Sequence, residues 1–449
     1  MRKLFGTDGI RGKAGEFPLD LPTMVALGSA LAQRLGEHDD HVPMVLLGMD
    51  TRESGPRIAN ALISGIETGG GRGCFVGVVP TPAVAYLCRA TNADAGISIS
   101  ASHNPFEDNG VKIFGGDGMK LSDALELELE NDLMKLRDDS TVPEAVENPP
   151  EETSELIGKY EKFLLEGISA NALAGQKVVL DTGNGAAYRI APEVFRSAGA
   201  EVVVMNDAPD GRNINENCGA LHPESMAARV VEEHADFGVA FDGDADRAIF
   251  ADDVGAIRDG DEIIFLWAKR ELNDGLLSEN TVVTTVMSNL GFERQLEHEG
   301  IRLMRAQVGD KYVLETMLVH GAVLGGEQSG HIIDLNVHTT GDGIHTALVI
   351  GELLAAEGRP FSGLATFEPV PQILLNERVQ SKPPLEELAG YMEEIERARD
   401  QLGDRGRILV RYSGTENLVR VMVEGDSDAE IKAVARKLCD VLKREIAGK

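Results

Sequence analysis

Three aspartates at alternate positions are the strongest candidates for chemistry in this sequence. Asp242, Asp244 and Asp246 lie in the segment DGDADR, directly after the apolar run FGVAF. In an extended chain, alternate side chains point to the same side, so the three carboxylates would face one point. Hard oxygen ligands in such an array suit Mg²⁺. The spacing therefore predicts a magnesium site built from these three carboxylates.

Two other interpretations of DGDADR stay open. A calcium loop of the helix-loop-helix type needs Gly where Arg247 stands and a strong acid at the twelfth position, where only Asp253 is found. A solvated acidic turn would need no ligand at all. Arg247 itself, next to the carboxylates, is better explained as a phosphate clamp than as a surface charge.

Ser102 is a candidate nucleophile. It follows a buried-looking strand in the segment ISISASHNP, with His103 and Asn104 beside it. A polar turn before Pro105 is the alternative, since triad partners are usually distant in sequence and no GxSxG elbow is present here. A serine near Mg²⁺ could accept and return a phosphoryl group. Lys112, in NGVKIF, could share the site as a proton shuttle or charge stabiliser, although an ordinary surface lysine fits equally well.

Three further loops carry groups that could bind an anion, sugar hydroxyls or another ligand. The loop at residues 411–420 could form an anion-binding nest from Arg411, Ser413, Gly414 and Thr415. The loop at residues 326–331 could bind hydroxyl groups through Glu327, Ser329 and His331. The glycine-rich opening at residues 6–12 carries Arg11. A plain hairpin turn is the alternative for the first loop, and a tight structural turn for the last.

The elements that must position these loops form an internal repeat. Short apolar runs followed by helical patterns recur in three sets, at residues 42–105, 177–247 and 281–331. The last strand of each set enters one of the loops SASHNP, DGDADR and GEQSGH. This pattern predicts three related mixed α/β domains with mostly parallel sheets, whose ligands bind beyond the carboxyl ends of the strands.

The pattern changes after residue 367 to a small α+β unit. Its elements are a helical segment, an antiparallel hairpin with SGTEN as its turn, and a closing amphipathic helix. Four domains are therefore expected, at residues 1–153, 154–254, 255–367 and 368–449.

Composition limits the classes of partner. The 449-residue chain has a formal net charge of −31, which argues against nucleic acid and acidic membranes as partners but leaves a small anionic substrate open. No apolar run approaches the roughly 18–20 residues of a membrane span, and the start does not resemble a signal peptide. A cytoplasmic protein is expected. The four cysteines lack metal-finger spacing, so idle or buried thiols are expected.

Taken together and in order, these motifs resemble the α-D-phosphohexomutase superfamily. The resemblance rests on FGTDGIRG, ISASHNP with NGVKIF, DGDADR, GEQSGH and RYSGTENLVRV, spread over the whole chain. The opening MRKLFGTDGIRG and the segment VGDKYVLE at 308–315 are most similar to its bacterial phosphoglucosamine mutase branch.

The resemblance implies four domains around a central cleft and a set of site residues. Ser102 would be the phosphoserine and, with Asp242, Asp244 and Asp246, would hold Mg²⁺. The resemblance also implies that Glu327 and Ser329 contact the sugar hydroxyls. The non-transferring phosphate would be held by Arg411, Ser413, Gly414, Thr415 and Arg420. Further contacts would be made by Arg11, His103, Lys112, Arg247, Lys311 and His331. Three departures from the family pattern are Ala245, Asn417 and Lys311, of which Lys311 for Arg would weaken a bidentate phosphate grip.

The implied activity is that of an intramolecular phosphotransferase of the isomerase class. It would convert glucosamine 6-phosphate reversibly to glucosamine 1-phosphate through a sugar 1,6-bisphosphate, on the route to UDP-N-acetylglucosamine and the cell wall. Mannose or glucose phosphates are alternative substrates. A Mg²⁺-dependent sugar phosphatase with Asp242 as nucleophile is a further alternative, but it would leave Ser102 and the SGTEN loop without a role. The sequence leaves the oligomeric state open, a homodimer included.

Overall fold

The computed structural model describes residues 4–6, 8–36, 41–137, 150–413 and 417–447. The chain divides into two compact units, one made of residues 1–285 and 304–365 and the other of residues 286–303 and 366–449. No helix in the described ranges is both long and apolar enough to cross a bilayer.

The first sheet carries the Ser102 loop at the end of a buried strand. Its strand order is β1-β2-β6-β5-β3-β4, with β3 parallel to both β4 and β5. The strands are β1 Phe5–Gly6, β2 Gly9–Lys13, β3 Met44–Met49, β4 Arg72–Val78, β5 Ala95–Ile99 and β6 Asp108–Gly115, and the helices are α1 Leu21–Gly36, α2 Gly55–Thr68, α3 Thr81–Thr91 and α4 Asp123–Arg137. Every residue of β5 is buried, as expected for a strand covered on both faces.

The second sheet carries the DGDADR loop. Its order is β11-β10-β9-β7-β8, with β7 parallel to β8 and β9. The strands are β7 Lys177–Asp181, β8 Glu201–Met205, β9 Phe237–Phe241, β10 Ala248–Asp252 and β11 Ile257–Arg258, and the helices are α5 Glu155–Glu166, α6 Ile190–Ser197 and α7 Glu224–Glu233. The apolar run FGVAF is β9 and is wholly buried.

The third sheet carries the GEQSGH loop. Its order is β13-β12-β14-β15. The strands are β12 Thr281–Thr285, β13 Arg302–Ala306, β14 Leu324–Gly326 and β15 Ile332–Asp334, and the helices along this stretch are α8 Gly260–Asp274, α9 Leu290–His298, α10 Asp310–His320 and α11 Gly343–Glu357. Helix α9 belongs to the second compact unit.

The three sheets repeat one topology, which confirms the predicted internal repeat. In each, the four repeated strands lie in the order second, first, third, fourth: β4-β3-β5-β6, β8-β7-β9-β10 and β13-β12-β14-β15. The fourth strand returns antiparallel to the third in every case. The sheets are therefore mixed, with a parallel centre and antiparallel additions, because each loop turns the chain straight back along the strand it has just left.

The second unit contains a small α+β fold, as predicted. Its sheet has the order β16-β18-β17 and is antiparallel throughout. The elements are β16 Gln372–Arg378, α12 Ala389–Leu402, β17 Gly406–Tyr412, β18 Leu418–Gly425 and α13 Asp428–Ala447. The predicted hairpin is the pair β17 and β18, whose turn residues 414–416 lie outside the described residues. The fold class predicted from the sequence is thus confirmed.

Helices α1 and α2 pack closely because glycines stand at their crossing. A Cβ on Gly65 of α2 would lie 2.0 Å from the carbonyl oxygen of Val25, and one on Gly28 of α1 would lie 2.3 Å from that of Leu62. Neither contact is possible for a real side chain. The two glycines therefore set the position of α2, which begins at Gly55, after the short segment that follows β3.

Gly65→Ala is expected to lower the midpoint of thermal unfolding, since overpacking of a close contact typically costs about 1–3 kcal/mol. The matched control is Gly158→Ala, on the exposed side of α5, where a Cβ would meet no described atom within 4 Å. That change should stabilise the helix by about 0.5–1 kcal/mol. Calorimetric unfolding of both variants checks the pair, and equal stability of the two would contradict the crossing described.

Candidate functional site

The loops after β5 and β9 meet at Ser102. The Ser102 Oγ donates a hydrogen bond of 2.6 Å to Asp242 Oδ2 and lies 3.2 Å from His103 Nδ1. Ser102 is only 1% exposed. Its φ of 52° lies in the left-handed region, which a residue with a side chain adopts only where its surroundings enforce it. The structure thus brings the predicted nucleophile to the predicted metal ligands.

The three aspartates of DGDADR form a compact buried cluster. One oxygen from each of Asp242, Asp244 and Asp246 lies within 4.8 Å of the others. The buried atoms Asp244 Oδ1 and Asp246 Oδ1 have no hydrogen-bond partner among the described residues. Burial, followed by repulsion from Asp246 and Asp244, raises the pKa of Asp242 well above its usual value. Buried carboxylate oxygens without hydrogen-bond partners, beside a carboxyl group whose charged form is disfavoured, fit a divalent cation such as Mg²⁺.

Lys112 supplies a positive charge to the same cluster. Its Nζ lies 2.8 Å from Asp244 Oδ2, 2.9 Å from Asp246 Oδ2 and 3.3 Å from Asp8. Burial acts to lower the pKa of Lys112, but the neighbouring carboxylates outweigh it and raise that pKa well above its usual value. A side chain held charged in this way favours the charge-stabilising interpretation of Lys112 over the proton-shuttle one.

Arg247, His103 and Arg11 surround the serine with further nitrogen groups. Arg247 Nη1 lies 3.4 Å from His103 Nδ1, and its Nε lies 3.8 Å from Asp246 Oδ1. Arg11 pairs with Asp8. Burial and the charges of Arg247 and Arg11 lower the pKa of His103 to about 4. The imidazole is therefore neutral near pH 7, and because Arg247 can only donate, Nδ1 is the unprotonated nitrogen that accepts from it.

The GEQSGH loop lies beside this cluster. His331 Nδ1 is 3.7 Å from Asp246 Oδ1. Burial opposes the charge on His331, but the neighbouring carboxylates, Asp246 first among them, outweigh it and raise the pKa of His331. Glu327 Oε1 accepts a hydrogen bond from the backbone N–H of Gly309 at 3.1 Å, and Ser329 is exposed. The predicted hydroxyl-binding groups thus lie on the loop next to the predicted metal ligands.

Lys311, a further predicted substrate contact, pairs with carboxylates of helix α4. Its Nζ pairs with Asp123 and lies 3.8 Å from Glu126, both on helix α4. The ammonium is thereby held between two carboxylates of one helix. A role for Lys311 in contacting substrate would need this pair to open.

In the second unit, two of the predicted phosphate contacts face each other. Arg411 of β17 and Arg420 of β18 are directly opposite in the sheet register. Burial and the charge of Arg420 lower the pKa of Arg411. Like charges opposite each other destabilise a sheet, and an anion between them would relieve the repulsion. Ser413 is buried and its carbonyl accepts from Lys382 Nζ at 2.7 Å; Gly414 and Thr415 lie outside the described residues.

Other residues of the site were missed by the sequence reasoning. Lys120 bridges Asp8 and Asp310, and Asp310 in turn lies 3.7 Å from His331 Nε2. Thr81 Oγ1 donates to Asp244 Oδ2 at 2.6 Å. These partners are distant in sequence and no motif joins them. Asp8 and Asp310 stand next to glycines in the sequence, but Lys120 and Thr81 do not.

Comparison with known proteins places all four parts of the chain in one family. The sequence models described as Phosphoglucomutase/phosphomannomutase match with alpha/beta/alpha domain I at residues 2–139, domain II at 158–255, domain III at 259–369 and the C-terminal domain at 374–441. Two curated relatives are the phosphoglucosamine mutases of Solibacter usitatus, 48% identical over 99% of both chains, and of Syntrophus aciditrophicus, 46% identical over 99% of this chain and 100% of that protein.

Solved structures show the same fold at lower identity. A phosphoglucomutase/phosphomannomutase family protein from Burkholderia thailandensis has a TM-score of 0.79 at 23% identity, covering 98% of this chain and 97% of that one. The N-acetylphosphoglucosamine mutase of Aspergillus fumigatus, in complex with GlcNAc-6P and magnesium, has a TM-score of 0.67 at 18% identity, covering 99% and 96%.

Asp244→Asn is expected to weaken binding of a divalent cation at least about 100-fold. Loss of a residue that only supports a metal ligand already lowers affinity by up to about 100-fold, and loss of a ligand should cost no less. The amide would retain the shape of the side chain but not the charge that the cluster offers to the metal. Calorimetric titration with Mn²⁺ or Mg²⁺ measures this directly. Asp440→Asn, an exposed position on α13, is the control, and equal affinity in the two variants would remove Asp244 from the ligand set.

Proposed function

The chain belongs to the phosphoglucomutase/phosphomannomutase family, and from this premise we propose that it converts glucosamine 6-phosphate reversibly into glucosamine 1-phosphate. It is a phosphohexose mutase, an enzyme of the isomerase class. The choice of an amino sugar is supported by the relatives at 43–48% identity that carry the name phosphoglucosamine mutase.

The observation that carries this proposal is the contact between Ser102 and the carboxylate cluster. The Ser102 hydroxyl lies 2.6 Å from Asp242, and Ser102 is 1% exposed. A serine in an ordinary polar turn would need neither this contact nor this burial. It suits a phosphoryl carrier, because the burial that surrounds it also keeps water from a phosphorylated Ser102.

The reaction proceeds in two half-reactions that share Ser102. In the first, the bond between phosphorus and Ser102 Oγ breaks, a bond from phosphorus to the sugar O1 forms, and the O1 proton passes to Ser102 Oγ. The resulting 1,6-bisphosphate turns over. In the second, Ser102 Oγ takes the phosphoryl group from O6 and returns a proton to it. His103 Nδ1, at 3.2 Å, and Asp242 Oδ2, at 2.6 Å, are the acceptors placed to hold that proton in transit.

Charge compensation is the second task of the site. Mg²⁺ held by Asp242, Asp244, Asp246 and an oxygen on Ser102 would withdraw charge from the transferring phosphoryl oxygens. The unpaired oxygens of the cluster support this, as does the magnesium in the Aspergillus fumigatus structure. Lys112 adds a fixed positive charge, since phosphoryl transfer is catalysed mostly by positioning and electrostatics.

Substrate binding is assigned to the loops that the sequence singled out. The sugar hydroxyls would be held on the loop that carries Glu327, Ser329 and His331, with Arg11 and Arg247 as further phosphate contacts. The non-transferring phosphate would be held by Arg411, Ser413, Gly414, Thr415 and Arg420. Two opposed arginines in one hairpin are a reason to expect an anion there.

The product would feed the route to UDP-N-acetylglucosamine, in the cytoplasm.

The proposed domain bounds are residues 1–153, 154–254, 255–367 and 368–449.

A ³¹P NMR time course of the protein with Mg²⁺, glucosamine 6-phosphate and a trace of sugar 1,6-bisphosphate tests the proposal. Growth of a sugar 1-phosphate resonance to a stable equilibrium is expected. Growth of inorganic phosphate instead would favour the phosphatase alternative. No change with the amino sugar, but turnover of mannose or glucose 6-phosphate, would overturn the amino-sugar preference.

Ser102→Ala is expected to abolish mutase turnover, because no other group would carry the phosphoryl between O6 and O1. The fold should be unaffected by loss of one oxygen atom. Ser169→Ala, at an exposed position, is the control and should retain full activity. A coupled assay of sugar 1-phosphate formation, with circular dichroism to check folding, gives the comparison; near-normal rates in the first variant would rule out the covalent route.

Arg411→Ala is expected to raise the KM for every phosphosugar tested by roughly 10- to 100-fold, because hydrogen bonds to charged groups contribute about 1.5–3 kcal/mol. Arg436→Ala, which removes an exposed arginine of α13, controls for net charge. Steady-state kinetics of both variants measure the effect. An unaltered KM in the first variant would remove the SGTEN loop from the site.

A further inference from the structure

The backbone on either side of the reacting serine is gathered around one buried arginine. Arg52 follows strand β3, and its side chain is 0% exposed. Its Nη2 donates to the carbonyls of Ser102 at 2.9 Å and Asn104 at 2.8 Å, and its Nη1 donates to the carbonyl of Asp108 at 3.1 Å and to that of Pro105. Four carbonyls of the serine loop therefore converge on one guanidinium.

A second side chain reaches the same loop from the second sheet. Asn215, in the segment between β8 and α7, donates through Nδ2 to the carbonyl of Ser102 at 2.9 Å and to that of Asn104 at 3.3 Å. Its own backbone N–H donates to the carbonyl of Gly183, at 2.9 Å. The carbonyls of Ser102 and Asn104 are thus each held by two donors, Arg52 from the segment after β3 and Asn215 from the segment after β8.

The amide side of Ser102 is tied into the same network. Its backbone N–H donates to Ser100 Oγ at 2.9 Å, and Ser100 Oγ donates to Asp50 Oδ2 at 2.5 Å. The same Asp50 oxygen accepts from Arg52 Nε at 2.9 Å. Both the N–H and the carbonyl of Ser102 are thereby fixed through buried side chains that never touch its Oγ.

This network explains the unusual backbone of Ser102. The φ of 52° is unfavourable for a residue with a Cβ, and four carbonyl dipoles that point at one another repel. A planar guanidinium with five donors satisfies such a fan of acceptors, whereas the single ammonium of a lysine does not.

We propose that Arg52 and Asn215 are positioning residues that hold Ser102 Oγ at the metal-ligand cluster through both half-reactions. The inference rests on the proposed mutase function. One oxygen atom must meet two differently placed sugar oxygens in turn, and a displacement of about 1 Å can cost about 100-fold in rate. Neither residue needs to touch substrate, so each acts on the rate of transfer and not on substrate affinity.

Two variants with matched controls test the proposal. Arg52→Lys keeps the positive charge but loses the planar guanidinium that reaches several carbonyls at once. Asn215→Ala removes only the hydrogen bonds that Asn215 donates to the carbonyls of Ser102 and Asn104. Arg258→Lys controls for the first, since Arg258 is a networked arginine that pairs with Asp252 and Glu262. Asn213→Ala controls for the second, since the Asn213 side chain bonds within its own segment, its Nδ2 donating to the Ala208 carbonyl.

The readouts are kcat and KM for glucosamine 6-phosphate, the thermal midpoint, and the ³¹P resonance of phosphorylated Ser102. We expect kcat to fall roughly 100-fold in Arg52→Lys and roughly 10-fold in Asn215→Ala, with KM within about threefold of wild type. The phosphoserine resonance should broaden or split in both. The two controls should keep the wild-type kcat and a single narrow resonance, whatever their thermal midpoint.

Three results would overturn the proposal: an unchanged kcat in folded Arg52→Lys or Asn215→Ala, a raised KM at constant kcat, or an equal loss of kcat in the controls. Absence of sugar 1-phosphate formation by the wild-type enzyme is a different result. It would overturn the proposed function, and the positioning role with it.

Discussion

The buried negative charge of Asp242, Asp244 and Asp246 is the constraint on which the rest of the site depends. Three carboxylates with ligand atoms within 4.8 Å of one another cannot all stay ionised in a buried site unless cations lie beside them. Lys112 meets part of that demand. The unpaired oxygens that remain leave room for a divalent cation, and a phosphoryl group beside that cation would then be held where its charge is offset.

A formal net charge of −31 does not prevent a chain from taking an anionic substrate. Fields from distant surface carboxylates are screened over about 8 Å at physiological salt. The charges that matter are then the local ones, and here Lys112 and Arg247 lie at the cluster and Arg11 is close enough to lower the pKa of His103. The acidic surface and the anionic substrate are therefore compatible.

The repeated sheet topology is what brings these charges together. Each of the three sheets places its third strand between the first and the fourth, so the loop that leaves that strand projects from the carboxyl end of the sheet. The loops after β5 and β9 meet in the contact between Ser102 and Asp242, and the loop after β14 brings His331 to within 3.7 Å of Asp246. One simple topology, used three times, supplies the proposed nucleophile, the proposed metal ligands and the groups proposed to contact the sugar.

The sequence could predict the fold and the residues at strand ends, but not the tertiary pairs. Alternate aspartates after FGVAF, and a serine after ISIS, are visible because strand periodicity places their side chains. Arg52 and Asn215 were invisible because their partners are backbone carbonyls, which every residue has. No sequence signal indicates that Lys311 would pair with α4, or that residues 286–303 would join residues 366–449 in one compact unit. An amphipathic helix shows that one face is buried, not what covers it.

The central claim is that Ser102 carries the phosphoryl group between the two sugar oxygens. A rapid-quench single-turnover experiment tests it most directly. The enzyme is labelled with ³²P on Ser102 and mixed with excess glucosamine 6-phosphate and Mg²⁺. The label is expected to leave the protein and appear in glucosamine 1,6-bisphosphate at least as fast as steady-state turnover. Label that stays on the protein during turnover, or that appears first as inorganic phosphate, would contradict it.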